Sequence, residues 1–379
     1  MTSLRKVAIA GVGYSQVGRH TGLSERHHAA QAAVAALGDA GLDAADIDGA
    51  TTWGGDATDF AWMLGMGPLR WHLNVGVSPA FITPAIHAAM AVATGQCDVC
   101  IAFRIMMQQP SAAQIASGAA TLASPSMEDA GMMYPFGDFS PTQWAGLLTN
   151  RYLHDSDATE EHFARFAVVQ REHAVRNEEA LQRTPLTVED YLAAPYISKP
   201  VRLLDCDLPC DSGSAVIFTT EERARDLRQK PVLVEASALS SIRDMNFELL
   251  DDMTHTSPAH CAQVLWSRTS LKPGDVDCAQ LYDGFSVITF QWLEALGLCD
   301  PGAAGPFIAE GNTRLGGSLP VNTDGGACNV GRRHGANFCI EATRQLRGTC
   351  GVRQVDGAEV AVWANAVGPF SGAMLLTAG

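Results

Sequence analysis

Three stretches of this 379-residue chain gather side chains able to move protons or hold an anion: Tyr282-Asp283, Arg332-Arg333-His334, and the spaced histidines His255 and His260. A tyrosine hydroxyl, with an ordinary pKa of about 10, relays or donates a proton best when a neighbouring cation lowers it, and Arg332 is the right type of neighbour. His334 titrates close to neutrality and is the alternative base. Arg332 and Arg333 together offer a local basic turn for a carboxylate, a phosphate or Asp283. If the strand through Tyr282 continues, Asp283 points to the opposite face and anchors structure instead of reacting.

Metal and thiol chemistry are less well served. The ten cysteines are scattered. Cys97-x-x-Cys100 and Cys206-x-x-x-Cys210 have superficial metal or redox spacing, but the first pair lies in Cys-Asp-Val-Cys-Ile-Ala-Phe, a run that reads as a buried strand lined by small apolar thiols. His255 and His260 lack a third ligand at matching spacing, so they read as loop histidines and no metal is expected.

Composition narrows the function classes further. A net charge of −15 with no block of Lys or Arg argues against nucleic acid, which needs a concentrated basic face. No apolar run approaches the roughly 18 to 20 residues of a membrane helix. Met1 to Tyr14 reads as a first strand and turn, not a signal peptide, so a cytoplasmic protein with reduced thiols is expected.

The elements that must position these groups follow an α/β rhythm. Lys6 to Val12 is a strand ending in Gly-Val-Gly, and Arg26 to Gly41 has helical spacing of Ala, Leu and Val. Ala80 to Ala93 is an apolar helix on nearly every face, which belongs inside a fold, and Asp98 to Phe103 returns as a strand. From Met106 to about Pro200 the composition shifts to Met, Gln, Ser, Pro and long polar helices such as Glu160 to Arg176, which reads as an insertion over the core. Val201 to Phe218 resumes core-like sequence. A second series begins at Pro231-Val-Leu-Val, continues through Ala279-Gln-Leu-Tyr-Asp and the helix Phe285 to Leu296, and ends with Val360 to Ala364 and Gly372 to Thr377. Trp266, Trp292 and Trp363 fall in apolar patterns and are assigned to the core.

Four motifs in this order and spacing carry a family resemblance. They are Leu203-Leu-Asp-Cys-Asp-Leu-Pro-Cys-Asp-Ser-Gly-Ser-Ala, Leu281-Tyr-Asp-Gly-Phe-Ser, Gly325-Gly-Ala-Cys-Asn-Val-Gly-Arg-Arg-His-Gly and Gly368-Pro-Phe-Ser-Gly. The chain resembles the thiolase superfamily, in its sterol carrier protein and lipid-transfer-protein branch. The resemblance implies a duplicated five-layered αβαβα fold with an N-terminal half over residues 1–222, a loop domain inserted over about 106–200, and a C-terminal half over 223–379. It also implies a homodimer and an acyl-CoA ligand, with coenzyme A arriving as part of the substrate and no separate cofactor.

The departures from that family decide the expected chemistry. The position of the nucleophilic cysteine is Ser78, whose hydroxyl is a poor nucleophile without an activating base. Ser78 is expected to cap the buried helix and to offer its N–H. The second cysteine is replaced within Asn365-Ala-Val-Gly-Pro-Phe-Ser-Gly. The histidine of the Gly-His-Pro motif is Arg332, with His334 two residues beyond, and the oxyanion residue is Tyr282. This pattern resembles the steroid side-chain-cleaving aldolases of the superfamily, except that they carry a second tyrosine where this chain has Arg332. The implied catalytic set is Tyr282, His334 and Arg332; Ser78, Asp283, Arg333, Gly368 and Gly372 are the implied substrate-binding set.

Retro-aldol cleavage of a β-hydroxyacyl-CoA fits, because it needs a base for the hydroxyl proton and donors for a thioester enolate, but no acyl-enzyme. A non-catalytic thiolase-like subunit and an acyltransferase working through Ser78 are the other two readings. The resembled aldolases also bind a small OB-fold, zinc-ribbon accessory protein, so such a partner is expected here.

Overall fold

The computed structural model describes residues 4–76, 80–108, 140–242 and 256–379, so Ser78 and His255 lie outside the described residues. The expected insertion is likewise described only from residue 140 onward.

The N-terminal series runs β1 (Val7–Tyr14), α1 (Glu25–Ala40), β2 (Gly49–Trp53), α2 (Ala57–Met63), β3 (Trp71–Val75), α3 (Ile82–Ala93) and β4 (Val99–Met106). Its limits follow from local chemistry. Ser24 accepts the His27 N–H to start α1, and Gly41, at φ +74°, ends it in the left-handed conformation that glycine tolerates best. Helices α4 (Pro141–Asp155), α5 (Glu160–Val175) and α6 (Val188–Ala193) follow, then the small ribbon β5 (Tyr196–Ser198) and β6 (Val201–Arg202), the long strand β7 (Ser212–Thr220) and α7 (Glu221–Arg225). Ser140, Thr159 and Thr187 form capping boxes at α4, α5 and α6, which explains how polar helices start where they do.

The second series is β8 (Val232–Ser241), α8 (Ser257–Trp266), β9 (Cys278–Leu281), α9 (Ser286–Ala295), α10 (Ala304–Ala309), α11 (Ala327–Val330), α12 (Ala336–Arg347), β10 (Val360–Val367) and β11 (Phe370–Ala378). The strand through Tyr282 therefore stops at Leu281, one residue short of the tyrosine.

Duplication is visible in the pairing. The first strand β1 runs antiparallel to β7, β7 antiparallel to β4, and β4 parallel to β2. In the second series β8 runs antiparallel to β11, β11 antiparallel to β10, and β10 parallel to β9. The two sets join through the short pairing of Ala8 with Leu233 and Ile9 with Val232, giving one nine-stranded sheet of order β3-β2-β4-β7-β1-β8-β11-β10-β9.

Helix α1 packs on β1 and β7, and α8 packs on β8 and β11, as outer layers. Helices α3 and α12 lie between the two strand sets and touch both. That is the αβαβα arrangement, and it explains why α3 is apolar nearly all round; Met90 alone among its large apolar side chains is exposed. Trp292 and Trp363 are fully buried, while Trp266 is partly buried against the same core and donates its indole N–H to the Leu296 carbonyl.

Candidate active site

Three loops meet beyond the C-terminal end of β9, and backbone hydrogen bonds stitch them together. Asp207 N–H donates to the Gly284 carbonyl, Leu208 N–H to that of Ala327, and Arg332 N–H to that of Leu208. Cys206 and Phe285 form an isolated bridge beside them. Residues 206–208, from the motif before β7, are thus held between the loop after β9 and the loop before α12.

This stitching assembles the first functional group. The Arg332 guanidinium donates Nε–H to Asp207 Oδ1 at 2.8 Å, with a second nitrogen 2.7 Å from the same oxygen. The Tyr282 hydroxyl lies near enough to that carboxylate for each to act on the other's protonation. Burial raises the Asp207 carboxyl above the usual carboxylate range, and Arg332 only partly offsets it. Tyr282 moves opposite to the sequence expectation: burial, and then the Asp207 charge, push its hydroxyl well above the ordinary value, outweighing Arg332. Arg332 holds Asp207, not Asp283, and is unavailable to turn Tyr282 into a phenolate.

The second group surrounds His334. Arg104, in β4, donates to His334 Nδ1 at 2.7 Å and to the Trp53 carbonyl at 2.6 Å, and its guanidinium lies 4.1 Å above the Trp53 ring. The Trp53 and His334 rings are 4.9 Å apart. The His334 carbonyl accepts from Phe81 N–H and from the Asn365 side chain, both at 3.0 Å. Burial first, then the Arg104 and Arg332 charges, hold the imidazole well below its ordinary pKa. It is therefore neutral, with the nitrogen that could take a proton from Arg104's side already occupied.

Backbone strain gathers at the same place. Ala80, His334 and Ala366 are three of the four described non-glycine residues with positive φ, at 98°, 47° and 67°. All three adjoin the His334 hydrogen bonds, and strain of this kind concentrates where a site over-determines its backbone.

Other expected site residues lie elsewhere in the arrangement. Arg333 is 1% exposed, stacks 4.1 Å over the Tyr14 ring and donates to the Val330 carbonyl, so it is a core cation turned away from the Tyr282 group. Asp283 is fully buried and accepts the Ala327 N–H at 2.8 Å, anchoring α11 rather than meeting a ligand. Gly372 brings β11 against α3, since a Cβ there would stand 2.7 Å from Ile82, and Gly368 makes the β10–β11 turn at φ +74° with its carbonyl accepting Ser257 N–H. His260 is paired with Ser240 at 2.7 Å.

The described thiols are poor nucleophiles where a shift is evident. Cys206 is pushed up to about 12 and Cys328 well above its ordinary value, burial being the main cause of both. Sequence reasoning missed Asp207 and Arg104. Asp207 lies inside the 203–215 motif, and its pairing with Tyr282 depends on the backbone stitching. Arg104 did carry a signal, being a lone cation in the apolar run Cys-Ile-Ala-Phe-Arg-Ile-Met.

Residues 240–377 match the family described as thiolase C-terminal domain-like. The chain is 37% identical over 387 residues to the 17-hydroxy-3-oxo-4-pregnene-20-carboxyl-CoA lyase of Mycobacterium tuberculosis, covering 98% of this chain and 99% of the relative. It is 35% identical over 379 residues to a steroid side-chain-cleaving aldolase of Thermomonospora curvata, covering 97% of each. A solved structure described as an Ltp2-ChsH2(DUF35) aldolase has a TM-score of 0.91 at 33% identity, covering 100% of this chain and 99% of that one. A monomeric SCP2-thiolase-like protein of Mycobacterium smegmatis shares the fold at a TM-score of 0.73 and 19% identity, covering 100% of this chain and 78% of that one. The chain belongs to the thiolase superfamily. Within it, one of the two relatives above is a 17-hydroxy-3-oxo-4-pregnene-20-carboxyl-CoA lyase and the other a steroid side-chain-cleaving aldolase.

Proposed function

We propose that this protein cleaves a carbon–carbon bond in a β-hydroxyacyl-CoA side chain, borne on a steroid or similar bulky ring, to give a ketone and a short acyl-CoA. The observation that carries this is the Tyr282–Asp207–Arg332 group, which serves proton transfer and offers no thiol for acyl transfer. Near-full-length likeness to steroid side-chain-cleaving relatives supports the same reading.

The chemistry follows from the charges. In this proposal the Tyr282 oxygen accepts the substrate's hydroxyl proton as its own passes to the nearby Asp207 carboxylate. The Cα–Cβ bond then breaks, its electron pair moving to the thioester as an enolate, and the ring carbon is left as a ketone. A proton returning to Cα completes the short acyl-CoA. Arg332 favours the ionised form of Asp207 against the burial that opposes it, and fixes the carboxylate's direction, a task a second tyrosine could not perform. No cofactor is needed beyond the coenzyme A that the substrate carries.

The working unit in this proposal is a cytoplasmic homodimer with a small OB-fold, zinc-ribbon partner, in line with the pairing named for the solved Ltp2-ChsH2(DUF35) aldolase. Size-exclusion chromatography with light scattering, with and without such a partner, tests the assembly. The activity test is incubation of the protein, alone and with that partner, with β-hydroxyacyl-CoA steroids, following ketone and acyl-CoA by mass spectrometry. Ketone formation without a covalent acyl adduct is expected; an adduct on Ser78 would favour acyl transfer, and no turnover in either preparation would favour a non-catalytic subunit.

A further inference from the structure

The enolate formed in that reaction needs hydrogen-bond donors, and Arg332 is committed to Asp207. The other arginine of the site, Arg104, is half-buried. The hydrogen-bond partners of Arg104 are the Trp53 carbonyl, the Met106 sulfur and His334 Nδ1. No carboxylate lies within ion-pair distance of it among the described residues. A half-buried guanidinium without a counter-anion is costly at rest and is relieved when negative charge develops nearby.

The hydrogen bond to His334 carries more information than its length. A guanidinium only donates, so the Nδ1 facing it must be the bare, accepting nitrogen, and a neutral ring must then carry its proton on Nε2. Nε2 has no hydrogen-bond partner among the described residues, so its N–H is not committed to any of them. Trp53 lies against the ring, and Phe81 N–H and Asn365 hold its backbone carbonyl. Gly335 makes the Asn365 contact possible, since a Cβ there would stand 1.7 Å from the Asn365 amide nitrogen.

We propose that His334 is an oxyanion donor and not a base: its Nε2–H holds the thioester oxygen on which the enolate forms, and Arg104 is the positioning residue that fixes this tautomer. The assignment rests on the retro-aldol reading above. The site then has two arms, with Tyr282 and Asp207 taking the hydroxyl proton and His334 receiving the electron pair at the thioester oxygen. Among the described residues, the charged or titratable neighbours of the Arg104–His334 pair are Arg332, Tyr282 and Glu25.

The test compares wild type with Arg104→Met, Arg104→Lys, His334→Gln and His334→Leu on a β-hydroxyacyl-CoA bearing a steroid ring, measuring kcat, KM and their pH dependence. His334→Leu should lower kcat by about 10²-fold with KM changed little, as loss of an oxyanion donor does. His334→Gln, whose amide N–H can take the place of Nε2–H, should recover about tenfold of that loss. In Arg104→Met the ring loses its tautomer lock, and protonation restores the Nε2–H. The ratio of variant to wild-type kcat should therefore rise as pH falls toward the imidazole's pKa, which burial still holds below its ordinary value, while Arg104→Lys stays closer to wild type. A structural role for Arg104 would lower activity without that slope. Folded Arg104→Met with a flat ratio, or equal kcat in His334→Gln and His334→Leu, would overturn the proposal, and the second comparison decides it if Arg104→Met does not fold. A wild-type enzyme that makes no ketone overturns the aldolase reading itself and this assignment with it.

Discussion

Gly284 and Tyr282 compete for one space: a Cβ built on Gly284 would stand 2.6 Å from the Tyr282 hydroxyl oxygen and equally close to its ring. The glycine is what allows the ring to fold back over its own loop toward Asp207. Gly284→Ala is expected to displace the ring and lower kcat by about 10-fold or more while the fold persists, because misplacing a proton-transfer group by about an ångström is costly. Turnover alongside circular-dichroism melting checks this, and an alanine variant with wild-type kcat would mean that the ring has another way to lie.

Tyr282→Phe keeps the ring against Phe338 but removes the hydroxyl. Loss of about 10² in kcat with unchanged melting is expected on general acid–base magnitudes. The pH profile should carry an acid limb only. Asp207 must be ionised to accept the proton, and burial places its pKa above the usual carboxylate range, so kcat falls as pH drops through that value. Tyr282 is raised well above its ordinary value and His334 lowered well below, so neither should add a limb near neutrality.

Arg332→Met strands a carboxylate that is only 8% exposed. Because the arginine side chain is itself 29% exposed, a loss of about 1–3 kcal/mol is expected, below the penalty for a fully enclosed pair. Adding Asp207→Asn should return most of that stability and none of the activity. Urea denaturation of the two single variants and the double variant measures the coupling.

Asp283 Oδ2 and Gln170 Oε1 are both buried without a hydrogen-bond partner, and both border Gly326, 2.0 and 2.4 Å from the point where a Cβ on it would stand. Burial raises the Asp283 carboxyl to about 8. An unfolded aspartate ionises near pH 4, so between about 4 and 8 the folded state binds the extra proton and stability falls as pH rises. Asp283→Asn should remove that component: the variant's melting temperature, relative to wild type, should climb from about pH 5 to about pH 8, with cleavage activity retained. A constant difference across that range would mean that Asp283 is ionised in the folded protein.

The strands and helices were readable because each has its own period and cap. Their limits in the structure differ from the expected ones by a few residues, as at Val7–Tyr14 against Lys6 to Val12. Tyr282, Arg332 and His334 stood out through motifs, but their roles did not. The direction of the Tyr282 shift depends on burial and on Asp207, 75 residues away in the chain, and His334's tautomer depends on an arginine in another strand. Arg333 shows the converse: identical in type to its neighbour, it is turned into the core by the left-handed step at His334 and the glycines flanking the loop.

The seam where β1 meets β8 is only two residue pairs long. Yet each working pair straddles it in sequence, Arg104 and Asp207 coming from the first strand set and His334, Tyr282 and Arg332 from the second. Turnover is thus a gauge of registry between the duplicated halves. A chain cut on the surface between Thr220 and Val232 would be inactive as separated fragments and would regain cleavage only as the fragments re-dock, which makes the protein a ready-made split reporter of its own assembly.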